Sequence, residues 1–178
     1  MPDPERNKHE ANLHGGYGRL MLYAGWLIIL SVLVYLFGNW EKTRINPNRN
    51  VETRIVGEQS QVILKRNANG HYLLNSSVNG ATVTFLVDTG ASQLVFTPEQ
   101  AQRAGLTPGN SYYVSTANGN IRVQSTVVDQ LNIGDIELRQ VPAAINPNMD
   151  GLALLGMSAL SSLDWRQTGD ELIIELAR

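Results

Sequence analysis

The sequence has no cysteine. Disulfides, thiolate nucleophiles and cysteine-based zinc or iron–sulfur sites are thereby excluded, and the redox compartment stays unread. Histidine is nearly as scarce: of three in 178 residues, His9 and His14 fall in a polar N-terminal stretch, leaving His71 as the only imidazole of the body. A multi-histidine centre has no ligands, so neither a metal nor a cofactor is expected. An excess of positive charge is also missing, with 14 Lys and Arg against 16 Asp and Glu. Without a broad positive field, a nucleic-acid partner is not expected. Length is limited too, since 178 residues hold one modest domain and an appendage but not two full lobes of ordinary size.

What is present starts with a polar tail, residues 1–19, which carries charges of both signs and no apolar period. From Leu20 to Phe37 the chain reads LMLYAGWLIILSVLVYLF, free of charge and bounded by Arg19 on one side and by Trp40, Glu41 and Lys42 on the other. At about 1.5 Å per helical residue such a run crosses a bilayer core. Tyr23, Trp26, Tyr35 and Trp40 lie towards its ends, where amphipathic rings suit the headgroup region. A buried core helix rarely stays apolar all round for so many turns, and a cleaved signal peptide has a shorter apolar region ending in an A-x-A-like site. Residues 20–40 are therefore expected to form one uncleaved transmembrane helix. Arg6, Lys8 and Arg19 before it face Lys42, Arg44, Arg49 and Arg54 after it, so flanking charge assigns no orientation.

Residues 41–60, centred on Asn46-Pro47-Asn48-Arg49-Asn50, carry turn formers and charges and read as a linker. The folded domain is expected over 61–178. Its signals are those of short strands: Val62-Ile63-Leu64, His71 to Val78, Ala81 to Val87, Tyr112 to Val114, Ile121 to Val128, Leu131 to Ile133, Ile136 to Val141 and Leu172 to Leu176. Asn69-Gly70 and Asn79-Gly80 suit type I′ hairpin turns, which need positive φ at both central residues. One helix is well marked, with Thr97 as cap, Pro98 at its first position, Gln100 completing a capping box and Gly105 as stop. A second short helix is expected from Met157 to Leu163. The domain is mostly β.

The informative stretch is Phe85-Leu86-Val87-Asp88-Thr89-Gly90-Ala91-Ser92. An apolar strand delivers one carboxylate, and the following glycine lets the backbone turn sharply away. A carboxylate buried at a strand end is costly alone, so it asks for a partner that shares a proton or hydrogen bonds. A serine hydrolase is set aside, because His71 has no G-x-S-x-G elbow beside it.

VDTGAS resembles the active-site motif of the retropepsin-like aspartic peptidases. Three further segments follow in that family's order. Tyr112 to Val123, with Ala117, Asn118, Gly119 and Asn120 at its tip, looks like the flap that closes over substrate. Leu154, Leu155 and Gly156, leading into Met157, resemble the apolar-apolar-Gly segment beside the catalytic turn. The terminal strand Leu172 to Leu176 occupies the place where the family interleaves chain ends across a dimer. The resemblance covers about Gln61 to Arg178 and implies a single-lobed acid-protease fold preceded by one transmembrane helix, as in membrane-bound bacterial members.

By that resemblance Asp88 is the catalytic residue of an aspartic endopeptidase. Thr89 would hold the turn across a two-fold axis, Gly90 would offer its backbone to substrate, and Ala91 would stay small to let substrate pass. Ser92 stands where viral enzymes commonly carry a second acid. This chain holds one Asp-Thr-Gly, and Asp135, Asp150, Asp164 and Asp170 lie outside any comparable turn. The second carboxylate is therefore expected from a second chain, making a homodimer acting on protein or peptide substrates. The same resemblance implies a single-pass inner-membrane protein with the peptidase domain in the periplasm. The rival reading is a non-catalytic membrane-anchored β domain that dimerises or binds extended peptides by strand addition.

Overall fold

The computed structural model describes residues 6–57, 59–116 and 119–177. It divides into two units, Met1–Lys42 and Thr43–Arg178. Helix α1 (Arg6–Ile45) supplies the first. Its apolar part, Gly18–Gly38, has a mean hydropathy of 2.3 and is long and apolar enough to cross a membrane. Leu20, Met21, Leu22 and Tyr23, which follow one another round a single turn, are all exposed, so apolar surface runs round the whole helix rather than along one stripe. Ser31 returns its hydroxyl to the Leu27 carbonyl at 2.8 Å, satisfying the one hydroxyl of this stretch that lacks an aromatic ring. The helix begins at Arg6, so most of the expected tail is helical; residues 1–5 of that tail lie outside the described residues.

The second unit is β-rich and starts earlier than the expected boundary at 61. Strand β1 (Glu52–Val56) precedes β2 (Gln59–Lys65), and the segment expected as linker joins the packed structure. Asn46 and Asn48 are buried. The Asn48 amide donates to the Lys65 carbonyl at 2.9 Å and the Leu73 carbonyl at 2.7 Å, while its oxygen accepts the Lys65 amide at 2.7 Å. Asn48 thus bonds backbone at the end of β2 and the start of β3, strands of different sheets, and these bonds satisfy the polar side chain that is buried there.

The remaining strands are β3 (Leu73–Val78), β4 (Ala81–Val87), β5 (Leu94–Phe96), β6 (Ser111–Thr116), β7 (Gly119–Ile133), β8 (Ile136–Ile145), β9 (Ala153–Leu155), β10 (Leu163–Thr168) and β11 (Glu171–Leu176). Helix α2 (Pro98–Arg103) follows β5, and α3 (Met157–Leu160) follows β9. A seven-stranded sheet runs β3-β4-β9-β5-β8-β7-β6, and β3 also pairs with β7, so the sheet curls and closes on itself. A four-stranded sheet runs β1-β2-β11-β10. Leu74, Phe85, Leu94, Phe96, Leu131, Ile133, Leu155 and Leu160 fill the core, with Phe85 and Phe96 edge to face at 5.6 Å.

Local signals hold where they are local. Asn79 (φ 48°) and Gly80 (φ 87°) both take positive φ between β3 and β4, as a type I′ turn requires. Thr97 and Gln100 form the capping box of α2, with Pro98 in its first turn. Asn69-Gly70 is different: only Gly70 has positive φ, and β2 and β3 enter different sheets instead of forming a hairpin. There Asn67 Oδ1 accepts the amides of Asn69 and His71 and turns the chain. The second helix is one turn, because Leu163 already starts β10. β11 lies between β2 and β10 of its own chain, so neither of its edges is open to a partner's strand.

Candidate active site

Asp88 is the first residue beyond β4, and both neighbours of that strand help place it. The parallel partner β9 sets Val87 opposite Leu155, and the Asp88 amide donates to the Leu155 carbonyl at 3.1 Å. On the other side the Val87 amide donates to the Tyr72 carbonyl at 2.9 Å. The chain then reverses: the Ala91 amide donates to the Asp88 carbonyl at 3.2 Å, and the Gly90 amide to Asp88 Oδ1 at 2.9 Å. The carboxylate is half-buried and held by a backbone donor rather than by a cation. Thr89, Gly90 and Ser92 are exposed and Ala91 is half-buried. The Thr89 hydroxyl makes no hydrogen bond among the described residues.

Leu154, Leu155 and Gly156 form the floor of this turn. Leu155 and Gly156 are buried and Leu154 half-buried, with Leu154 opposite both Leu86 and Val95. Gly156 has no left-handed φ; its role is contact. A Cβ there would stand 2.1 Å from the Gln93 carbonyl oxygen and 2.6 Å from that of Ala91, so only hydrogen fits. The next amide, of Met157, donates to the Ala91 carbonyl at 2.8 Å, and Ser158 Oγ accepts the Leu94 amide at 2.9 Å. The start of α3 thus holds the exit of the Asp88 loop.

The β6–β7 hairpin sets Tyr112 opposite Val123 and Thr116 opposite Gly119. Ala117 and Asn118, expected at its tip, lie outside the described residues; Gly119 (φ 108°) and Asn120 are exposed beside them. The Tyr112 hydroxyl donates to Gln93 Oε1 at 2.9 Å and ties the hairpin to the loop that follows Asp88. Gln93 and Ser158 escaped the sequence reading, since neither belongs to a local motif; only the fold brings them here. Behind the turn, Arg66 lies over the Tyr72 ring at 5.5 Å with Nη2 3.4 Å from its hydroxyl, and this bond pushes the guanidinium further above its usual value. Among the described residues, no three His, Asp or Glu side chains gather as a metal site.

A family model described as "gag-polyprotein putative aspartyl protease" matches residues 74–162, the interval that holds the turn, the hairpin and the Leu154–Gly156 floor. An uncharacterized protein of a Sinorhizobium species, from the region 5′ of cobV, is 34% identical over 151 residues, which are 79% of this chain and 64% of that one. An uncharacterized protein of Rickettsia prowazekii (strain Madrid E) is 30% identical over 120 residues, 66% of this chain and 52% of its own length. The chain therefore spans between about half and two thirds of these relatives. Among solved structures, a retropepsin-like aspartic protease from Rickettsia conorii superposes with a TM-score of 0.57 at 28% identity, covering 71% of this chain and 94% of that one.

Proposed function

Because this chain belongs to the retropepsin-like aspartic protease family, we propose that it is an endopeptidase whose water is activated by two Asp88 carboxylates, one from each of two chains. The observation that carries this reading is the half-buried Asp88 at the end of β4, fixed by Leu155 and Gly90, in a chain with a single Asp-Thr-Gly. Two carboxylates a few ångströms apart cannot both ionise, so the pair keeps one proton. The ionised member takes a proton from water as the oxygen attacks the peptide carbonyl. The protonated member donates to the carbonyl oxygen, and collapse of the tetrahedral intermediate returns a proton to the leaving nitrogen. Water is consumed and one peptide bond is broken, with the pair restored to one proton.

The neighbouring residues take the roles the resemblance implies. The exposed Thr89 hydroxyl, unpaired among the described residues, is free to bond to the partner's turn. Gly90 and Ala91 leave room for an extended substrate, and the hairpin carrying Ala117, Asn118, Gly119 and Asn120 closes over it. Residues 20–40 anchor the chain in the inner membrane, and the β unit works in the periplasm on proteins or peptides. Confinement to one membrane raises the effective concentration of subunits and favours their pairing. The test is peptide hydrolysis by the purified full chain beside Asp88→Asn. Loss of cleavage by orders of magnitude with an unchanged fold supports the reading; equal cleavage by both overturns it, and absence of cleavage by either leaves the peptide-binding β domain in its place.

A further inference from the structure

The reading above needs a second copy of the chain, and the four-stranded sheet restricts where it can pair. β11 is enclosed by β2 and β10, which leaves the outer edges of β1 and β10 as this sheet's unpaired edges among the described residues. The two edges differ in their relation to the Asp88 turn. β1 lies three strand intervals from β10, about 14 Å at the usual spacing. β10 is joined to the floor of the turn directly: only α3 and the residues Ser161 and Ser162 separate Gly156 from Leu163. Since the Met157 amide bonds to the Ala91 carbonyl, this short connection is anchored to the loop at its start.

The side chains of β10 are self-complementary. Asp164, Trp165 and Arg166 are all exposed, Trp165 at 45% despite its size. Laid antiparallel on a copy of itself about a two-fold axis through Trp165, the strand sets Asp164 opposite the partner's Arg166 and Arg166 opposite the partner's Asp164. Opposite charges across such a pair attract, while the two indoles meet at the centre. Asp164 has no ion pair among the described residues, and Arg166 reaches Glu175 at 3.0 Å while still half exposed. On β1, by contrast, Arg54 and Glu52 already pair with each other at 2.6 Å. We propose that the active dimer forms by antiparallel pairing of β10 with β10 of a second copy, centred on Trp165, rather than by exchange of terminal strands; the proposal rests on the dyad reading.

The cysteine-free chain makes a direct test. Trp165→Cys and, as control, Ile55→Cys on β1 are each introduced into the full chain in detergent and oxidised. Disulfide-linked dimer is expected for Trp165→Cys and not for Ile55→Cys; the reverse pattern, or no cross-link from Trp165→Cys, overturns the proposal. As a second measure, Asp164→Arg should weaken dimerisation about tenfold by setting like charges opposite each other. Asp164→Arg combined with Arg166→Asp should restore it, and failure to restore counts against this register. Activity separates the two readings. If Asp88→Asn abolishes hydrolysis while Trp165→Cys does not cross-link, the dyad stands and this surface falls. Undiminished hydrolysis by Asp88→Asn removes the dyad itself.

Discussion

The Tyr112 hydroxyl donates to Gln93 Oε1 at 2.9 Å, joining the first strand of the hairpin to the loop that leaves Asp88. β6 has no strand on its outer edge, and this bond ties it to the body in addition to its ladder with β7. Tyr112→Phe removes the donor and keeps the ring. A bond of this kind contributes about 1 kcal/mol, so kcat/KM should fall roughly fivefold with thermal stability nearly unchanged. Steady-state kinetics on a peptide substrate check this, and unaltered kcat/KM would show the tether to be idle.

Asp88→Asn should act across subunits. Mixed in excess with the active chain, it should suppress hydrolysis, because most active chains then sit in heterodimers holding one titrating carboxylate. The active enzyme should show a bell-shaped pH dependence, since neither the doubly protonated nor the doubly ionised pair can act as both acid and base. Activity that scales with active chain alone, whatever the excess of variant, would point to a complete site in one chain.

Gly156→Ala should be severe for so small a change. The added methyl meets two backbone carbonyl oxygens, of Gln93 and Ala91, which cannot rotate aside as side chains do. Overpacking of this kind costs about 2 kcal/mol, and the movement it forces displaces the Asp88 loop. A lowered melting temperature together with lost hydrolysis is expected, while a variant with full activity would mean that the floor yields without moving the turn.

Gly119 stands at φ 108°, where a β-branched residue is strained by about 1–3 kcal/mol. Gly119→Val should therefore distort the hairpin tip and slow turnover about tenfold, leaving the core packed. Circular dichroism and turnover measured side by side check the expectation. Normal turnover would place the closing segment elsewhere.

The apolar span in α1, taken with the orientation that the family resemblance implies, predicts a sided topology. In intact spheroplasts an added protease should digest the β unit and leave the residues before the span protected. Complete protection of the β unit until lysis would reverse the proposed orientation.

Much of this protein was legible without its fold. The apolar run in α1, the two positive φ values at Asn79-Gly80 and the capping box at Thr97 and Gln100 depend on residues within a few positions of one another, and such interactions leave periodic or motif-like traces. The Asp88 turn was legible for the same reason. Tertiary structure alone decided that Asn48 is buried between Lys65 and Leu73, that Gly156 admits no methyl, that Gln93 meets Tyr112, and that β11 spends both edges inside its own chain. Each of these is a contact between segments far apart in sequence. Their partners are selected by sheet order and packing distance, which no local pattern of residues encodes.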